Sequence, residues 1–326
     1  MRNIWVLALL GELFFAIPQV SAQPAFPSKA IRLIVPYPPG AGNDFTAREV
    51  AAHFSNALGQ QVVVDNRPGA AATLGHALVA KAQPDGYTLL LATAGGLVSG
   101  PALMGPKVPY HPLKDFEPIG LATYVAYGLA VTANLPARGI KDLIDFAKAH
   151  PGKLNVASPG VGTPNHLGAA ELMAKTGIEL VHIPYKGSAL ALTDLITGNV
   201  HLTITGLQPL LPHHIAGRLR ILGVGRKQRL KMYPDIPTIS ETVQGYYLAG
   251  WWGIAAPAGT PKVVVNMLNS IMNKGLLLPE SIQRFEKNGL EVATTTPQGF
   301  HDLIRADLEM WRKLIKDAKI SVDSLP

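Results

Sequence analysis

Two glycine- and proline-rich turns hold the residues best suited to binding a small anion. The first, Pro36-Tyr-Pro-Pro-Gly-Ala-Gly-Asn-Asp44, follows the apolar run Ile31–Val35. The second, Ala157-Ser-Pro-Gly-Val-Gly-Thr-Pro-Asn-His166, follows Leu154–Val156. Each leads from a strand pattern into a helix pattern. A helix start presents unpaired backbone N–H groups and the positive end of the macrodipole, and glycine lets that backbone come close to a bound group. Two such starts, far apart in sequence, can grip a carboxylate from two sides. In the first turn Tyr37 can offer its ring or hydroxyl. Pro39, Gly40 and Gly42 shape the backbone there, and Asp44 either meets a polar ligand group or caps the helix. In the second turn Ser158 and Thr163 can donate hydroxyl hydrogen bonds, Gly160 and Gly162 allow close approach, and His166 either reaches the ligand or is structural. Thr93, Tyr185 and Thr205 end strand patterns and are candidates to line the same cleft.

Catalytic patterns are missing from the sequence. There is no Gly-x-Ser-x-Gly elbow and no phosphate-binding Walker loop, and Gly40-Ala-Gly42 lacks the third glycine of a dinucleotide fingerprint. His213 and His214 are adjacent, not spaced for two metal ligands on one helix face. The chain has no cysteine, which rules out disulfides and thiol chemistry. The expectation is a binding protein, not an enzyme, needing neither metal nor cofactor.

Strand-like runs at Ile31–Pro36, Val62–Asp65, Tyr87–Ala92, Gly128–Thr132, Leu154–Ala157, Glu179–Pro184, Val200–Thr205, Arg220–Gly225, Trp252–Ala256 and Leu290–Thr294 must position these turns. Helical patterns lie between most of them, which predicts an α/β fold with largely parallel sheets. Asp44–Leu58 places Ala47, Val50, Ala51, Phe54, Ala57 and Leu58 on one face, with Asn43 or Asp44 as N-cap. Thr296-Pro297 predicts the start of a last helix, with Phe300, Ile304, Leu308, Trp311 and Ile315 as its stripe. Alternation along the strand turns one of Trp251 and Trp252 inward and the other outward. Composition suggests breaks near Gly120–Tyr127 and Arg226–Pro237.

Residues 1–22 read as a secretory signal peptide, with Arg2 before an apolar run and Val20-Ser-Ala22 as the cleavage signature. The product is then periplasmic. The 326-residue chain is 48% hydrophobic and 16% charged, with net charge +7. Its densest basic group, Arg218, Arg220, Arg226, Lys227, Arg229 and Lys231, flanks the strand-like Ile221–Val224 and reads as a solvated surface. Nucleic acid is not expected as a partner.

The ordered series of motifs resembles the Bug-type extracytoplasmic solute receptors of tripartite tricarboxylate transporters. Its markers are Val35-Pro-Tyr-Pro-Pro-Gly-Ala-Gly-Asn-Asp44, Val62-Val-Val-Asp-Asn-Arg-Pro-Gly69, Pro84-Asp-Gly-Tyr-Thr-Leu-Leu90 and Asp115-Phe-Glu-Pro-Ile119. Ser158-Pro-Gly-Val-Gly-Thr-Pro-Asn-His-Leu167, His182-Ile-Pro-Tyr-Lys-Gly-Ser188, Pro234-Asp-Ile-Pro-Thr238 and Ala256-Pro-Ala-Gly-Thr-Pro261 complete it. The resemblance implies a two-domain α/β periplasmic-binding-protein fold of type II with a hinged interdomain cleft. Residues 23–122 and 228–326 would form a discontinuous first domain, and 123–227 the second. It implies a monomer that binds a small carboxylate, a dicarboxylate or aromatic acid, between the two turns and delivers it to the transporter's membrane subunits. A histidine-kinase sensor is the alternative partner, and an exported hydrolase the rival activity. The chain departs from the family pattern at Ala41, Asn43, Ala70-Ala-Ala72, His201 and Thr205. A neutral Thr205 removes a partner for a ligand ammonium, which disfavours amino acids.

Overall fold

The computed structural model describes residues 26–185 and 187–317, so the signal-peptide reading of residues 1–22 lies outside the described residues. The chain begins with β1 (Ile31–Val35), α1 (Gly42–Leu58), β2 (Val62–Asn66), α2 (Thr73–Ala80) and β3 (Thr88–Thr93). A short π-helical stretch, Gly95–Ser99, runs into α3 (Gly100–Met104). The long strand β4 (Phe116–Thr132) follows, then α4 (Ile140–Ala149), β5 (Leu154–Ser158), α5 (Pro164–Thr176), β6 (Leu180–Pro184) and α6 (Ser188–Thr197). Next come β7 (Leu202–Gly206), α7 (Leu207–Ile215), β8 (Leu219–Val224) and β9 (Ala249–Pro257). The last elements are α8 (Lys262–Leu276), α9 (Pro279–Lys287), β10 (Leu290–Val292) and α10 (Pro297–Asp317).

The strands build a continuous ladder in the order β2-β1-β3-β9-β4-β7-β5-β6, with β8 and β10 also pairing β4. The sheet is mixed, which corrects the expectation of largely parallel pairing. β1 is parallel to β2 and β3, and β5 to β6 and β7, as strand-helix alternation requires. β4 and β9 run against their neighbours because each carries the chain from one half of the ladder to the other.

β4 pairs β9 from Phe116 to Ala126, and β7 from Tyr127 to Val131. The return crossing lies beside it: Gly225 N–H donates to Tyr127 O at 2.9 Å, Leu248 N–H donates to Gly225 O at 2.8 Å, and β9 then begins. Sequence reading found only the second half of β4. Pro118 and Gly120 made its first half look like a turn, since proline cannot donate to a central ladder. The ladder accommodates them with register shifts between Pro118 and Gly120 and between Leu121 and Thr123. Within residues 228–248, which the sequence reading grouped with the chain ends, two bonds reach the second half. Val224 N–H donates to Pro237 O at 2.9 Å, and the Tyr246 hydroxyl donates to Gly168 O on α5 at 3.1 Å.

Helix packing follows the apolar stripes, with two corrections. On α1, Ala47, Val50, Ala51 and Phe54 are buried, but Ala57 is exposed near the helix end. The helix begins at Gly42, with Ala41 as N-cap, so neither Asn43 nor Asp44 caps it. α10 starts at Pro297 as expected, with the Thr296 hydroxyl accepting from Gly299 N–H at 3.0 Å. Its Phe300, Ile304, Leu308 and Trp311 are buried. Both tryptophans of the Trp251-Trp252 pair lie within β9. Trp251 turns inward, packs edge-on against Phe300 with centroids 5.1 Å apart, and donates its indole N–H to Asp307 at 2.7 Å. Phe300 is fully buried, so Phe300→Ala is expected to destabilise the protein by about 3–5 kcal/mol. Urea unfolding checks this; a midpoint like the parent's would mean that α10 does not anchor β9.

Candidate functional site

The first turn is wired from within by Asp44. Its carboxylate accepts from Gly40 N–H at 3.1 Å, from Asn66 Nδ2 at 3.1 Å, and from Arg48 through Nε at 2.9 Å and a terminal guanidinium nitrogen at 3.2 Å. Asn66 Nδ2 also donates to Tyr37 O at 3.0 Å. Burial pushes the Asp44 carboxyl up, but the bonds from Arg48, Gly40 and Asn66 outweigh it and hold the group below its ordinary value. The sequence left Asp44 open between ligand contact and helix cap; here it ties Gly40 to α1 and β2. Asn43 Oδ1 accepts from Asp44 N–H at 2.9 Å. The N-cap, Ala41, makes no side-chain bond, so with Asp44 N–H taken by Asn43 it is the N–H groups of Gly42 and Asn43 that carry the positive end of the helix. Pro39 and Gly40 are exposed, and Gly40 has a φ of 90°, in the region glycine favours.

A second glycine pair follows β3. The hydroxyl of Thr93 accepts from Gly96 N–H at 3.1 Å. Tyr37 reaches this point from the first turn: a Cβ added at Gly95 would lie 3.1 Å from the Tyr37 hydroxyl, 3.6 Å from Pro164 Cδ and 3.8 Å from Thr93 Oγ1. Pro164 is the first residue of α5, so the second turn's helix start meets Tyr37 and Thr93 here. Burial raises the pKa of Tyr37, partly offset by its bond with Thr93, so the phenol stays protonated and can donate. Gly95 and Gly96 were missed in the sequence, although a Gly-Gly pair after an apolar run was a readable signal.

The second turn spends its hydroxyls internally. Ser158 is fully buried, its Oγ 2.6 Å from His182 Nε2 and accepting from Gly160 N–H at 3.2 Å. The Thr163 hydroxyl donates to Gly160 O at 2.7 Å and accepts from His166 N–H at 3.4 Å as the N-cap of α5. His166 is 2% exposed; its Nδ1 accepts from Gly162 N–H at 3.3 Å, and its ring stacks on His182 with centroids 4.2 Å apart. Burial and then the neighbouring His182 pull the His166 imidazole down to about 4, so the pair is neutral at pH 7. Gly160 and Gly162 have φ of 143° and 78°, and Leu103 Cδ2 lies 3.1 Å from a Cβ placed at Gly162. Tyr185 joins the turn through its backbone, donating N–H to Ser158 O at 2.8 Å. Its hydroxyl instead donates to Asp194 at 2.5 Å and, mainly through burial, is pushed up to about 12.

Thr205 is buried on β7 opposite Gly128, one residue before the Gly206 N-cap of α7. α7 brings Gln208 to the first turn: a Cβ at Gly42 would lie 3.7 Å from Gln208 Oε1 and 3.0 Å from Trp252 Cη2. No sequence pattern pointed to Gln208, because only the crossing of the chain brings α7 beside α1. Among the described residues, no group of three or more His, Cys, Asp or Glu is placed to hold a metal ion.

The family follows from comparison with known proteins. Residues 46–320 match the tripartite tricarboxylate transporter family receptor. The chain belongs to that family. It is 38% identical over 301 residues, 92% of this chain and 89% of the other, to a protein from the tcbD-tcbE intergenic region of Pseudomonas sp. strain P51. It is 32% identical to protein BugT of Bordetella pertussis over 317 residues, 96% of this chain and 97% of that one. Among solved structures, R. palustris Rpa4515 with adipate superposes with a TM-score of 0.86 at 34% identity, over 91% of this chain and 99% of that one. MatC from Rhodopseudomonas palustris with bound malate gives 0.81 at 28% identity, over 89% and 100%. The resemblance to the Bug-type receptors therefore stands, and the mixed α/β fold is that of the periplasmic binding proteins. The protein is a solute-binding receptor of this family, not an enzyme.

Two expectations follow from the site's internal bonds. Asp44→Ala leaves Gly40 N–H and Arg48 without their acceptor and takes one of two acceptors from Asn66, and should cost about 1.5–3 kcal/mol without any ligand present. Urea unfolding of the ligand-stripped protein reads this; an unchanged midpoint would remove Asp44 from the framework. The second concerns acid. His76 is fully buried, its Nδ1 2.9 Å from Ala72 O, and burial pulls it down to about 4. The unfolded chain takes that proton near pH 6.5, roughly the free-imidazole value. The contribution is therefore complete above that pH and is lost as pH falls toward 4, at up to about 1.4 kcal/mol per pH unit. Glu171 runs the other way: burial raises its carboxyl to about 7, so its contribution is lost as pH rises toward that value. The difference between parent and His76→Gln isolates the histidine. The parent should lose more stability than the variant between pH 7 and pH 5, and parallel losses would contradict the assignment.

Proposed function

We propose that this receptor works in the periplasm, captures a small organic carboxylate, and hands it to the membrane subunits of a tripartite tricarboxylate transporter. The observation that carries this reading is the meeting of two glycine-rich helix starts, of which α1 has no side-chain cap. A carboxylate at the Gly42 and Asn43 N–H groups would complete the helix as a capping side chain does elsewhere. The Tyr37 hydroxyl, a neutral donor, comes from the same turn and stands at the Gly95–Pro164 junction. The second helix start supplies less: Pro164 has no N–H, and Thr163 already takes that of His166. The second turn is thus a shaped wall more than a set of donors. Relatives seen with adipate and with malate support a carboxylate ligand. Asp44 is engaged by four donors and Thr205 is neutral, so neither offers a free charge to a ligand ammonium, which favours plain carboxylic acids over amino acids.

The two halves of the ladder are read as two hinged domains, with the hinge at the paired crossings near Tyr127, Gly225 and Leu248. Ligand bound between the turns would hold the halves together, and closure would exclude water from the carboxylate's bonds. The mature protein is read as a monomer that begins at Gln23.

A thermal-shift screen tests the reading. The protein, unfolded and refolded to remove any bound compound, is melted with a panel of mono- and dicarboxylates and their amides. Ligand at 100 times its Kd adds about 2.7 kcal/mol to the folded state, which should raise Tm by about 2 °C or more. Shifts with acids and none with their amides are expected. Equal shifts with both, or none in refolded protein, would overturn the carboxylate reading.

A further inference from the structure

We propose that Trp252, with Gln208 facing it, forms the wall that selects the ligand's body, and that it favours acids with an apolar chain of at least four methylenes or an aromatic ring over four-carbon dicarboxylates. The inference rests on the carboxylate reading above and extends it from the bound charge to the rest of the ligand.

Trp252 pairs with Thr93 across β3 and β9, so the two side chains stand on the same face of the sheet. The Thr93 hydroxyl and the Tyr37 hydroxyl come together at Gly95, 3.8 and 3.1 Å from a Cβ placed there. From there the six-membered ring of the indole reaches the first residue of α1. A Cβ at Gly42 would lie 3.0 Å from Cη2 and 3.2 Å from Cζ3, which is why this position takes no side chain. A carboxylate seated on the Gly42 and Asn43 N–H groups therefore projects its carbon body beside the indole.

The chemistry of that wall is neutral. Trp252 contributes an aromatic face and is half-buried, whereas Trp251 is 1% exposed and locked to Asp307 and Phe300. Gln208 contributes an uncharged amide, whose Nε2 donates to Asn288 Oδ1 at 3.4 Å. An aliphatic chain or ring lying on the indole loses only unfavourable contact with water. The second carboxylate of a four-carbon diacid would arrive at the same place, where neither side chain carries a charge to compensate its lost hydration. In a longer diacid the second carboxylate passes beyond the wall.

Isothermal titration with adipate, benzoate and succinate tests this, using the full mature protein and the variants Trp252→Ala and Trp252→Phe. The parent is expected to bind adipate or benzoate at least 10-fold more tightly than succinate. Trp252→Ala should bring the three within about threefold of one another, and Trp252→Phe, which keeps an aromatic face, should retain most of the preference. Binding to the parent should also change tryptophan emission, because Trp252 is only partly buried whereas Trp251 and Trp311 are buried; this readout needs no variant to fold. Tightest binding of succinate, an equal loss for all three acids in Trp252→Ala, or binding with no change in emission would overturn the wall while leaving the carboxylate site intact. Failure of refolded parent to bind any of the three would overturn the carboxylate reading and the wall with it.

Discussion

The structure depends on one strand serving two sheets. β4 must keep its hydrogen-bond ladder with β9 on one side of Tyr127 and with β7 and β8 on the other. Backbone groups buried in a sheet need partners along their whole length, so β4 cannot be interrupted where the halves meet. Its irregularities against β9 fall inside the first half, where Pro118 and Gly120 lie, and one more, between Leu129 and Ala130, falls in the pairing with β8. The return crossing is bound beside it through Tyr127, Gly225 and Leu248. With both crossings fixed, the strand ends β1, β3, β5 and β7 open toward a common region, and the glycine-rich turns that follow them have little choice of place. The meeting of the two turns is thus a consequence of connectivity before any side chain acts.

Charge is handled differently on the two sides of that region. On the first side a carboxylate, a guanidinium and an amide are consumed in holding the turn, and the N-cap position, Ala41, adds no side-chain cap. On the second side the supports are neutral: two stacked imidazoles and two hydroxyls, each bonded within the turn. A stacked imidazole pair beneath a binding surface is stable only while uncharged, and burial keeps it so. In the proposed site a small anion would meet one polarised helix end and one neutral wall, an arrangement that would orient a molecule with a charge at one end.

Much of this was legible in the sequence, and the reasons are local. The turns at Pro36–Asp44 and Ala157–His166 announce themselves because proline and glycine are needed there whatever the rest of the chain does. The stripe of α10 was readable because Phe300, Ile304, Leu308 and Trp311 repeat at helical spacing. What local patterns could not give was tertiary. Nothing in the sequence says that the Ser158 hydroxyl, read as a ligand donor, would also bond His182 on the neighbouring strand. Asp44 looked like an N-cap because capping is the commonest use of an aspartate before an apolar helical run, whereas here it reaches back to Gly40 from inside the first turn. Gln208 carried no signal at all. The first half of β4 was hidden by the proline and glycine that it absorbs as bulges.

The Asp44 framework has a consequence for how such a receptor diversifies. The residues that hold the first turn in shape bond to one another, not to α7 or the second turn. Changes at Gln208, Leu103 or the wall around Trp252 can therefore alter what is held without disturbing how the charge is held. On the proposed reading, recognition of the acid group and recognition of its body are separable: the former would be tied to stability, and the latter could vary without loss of the first turn.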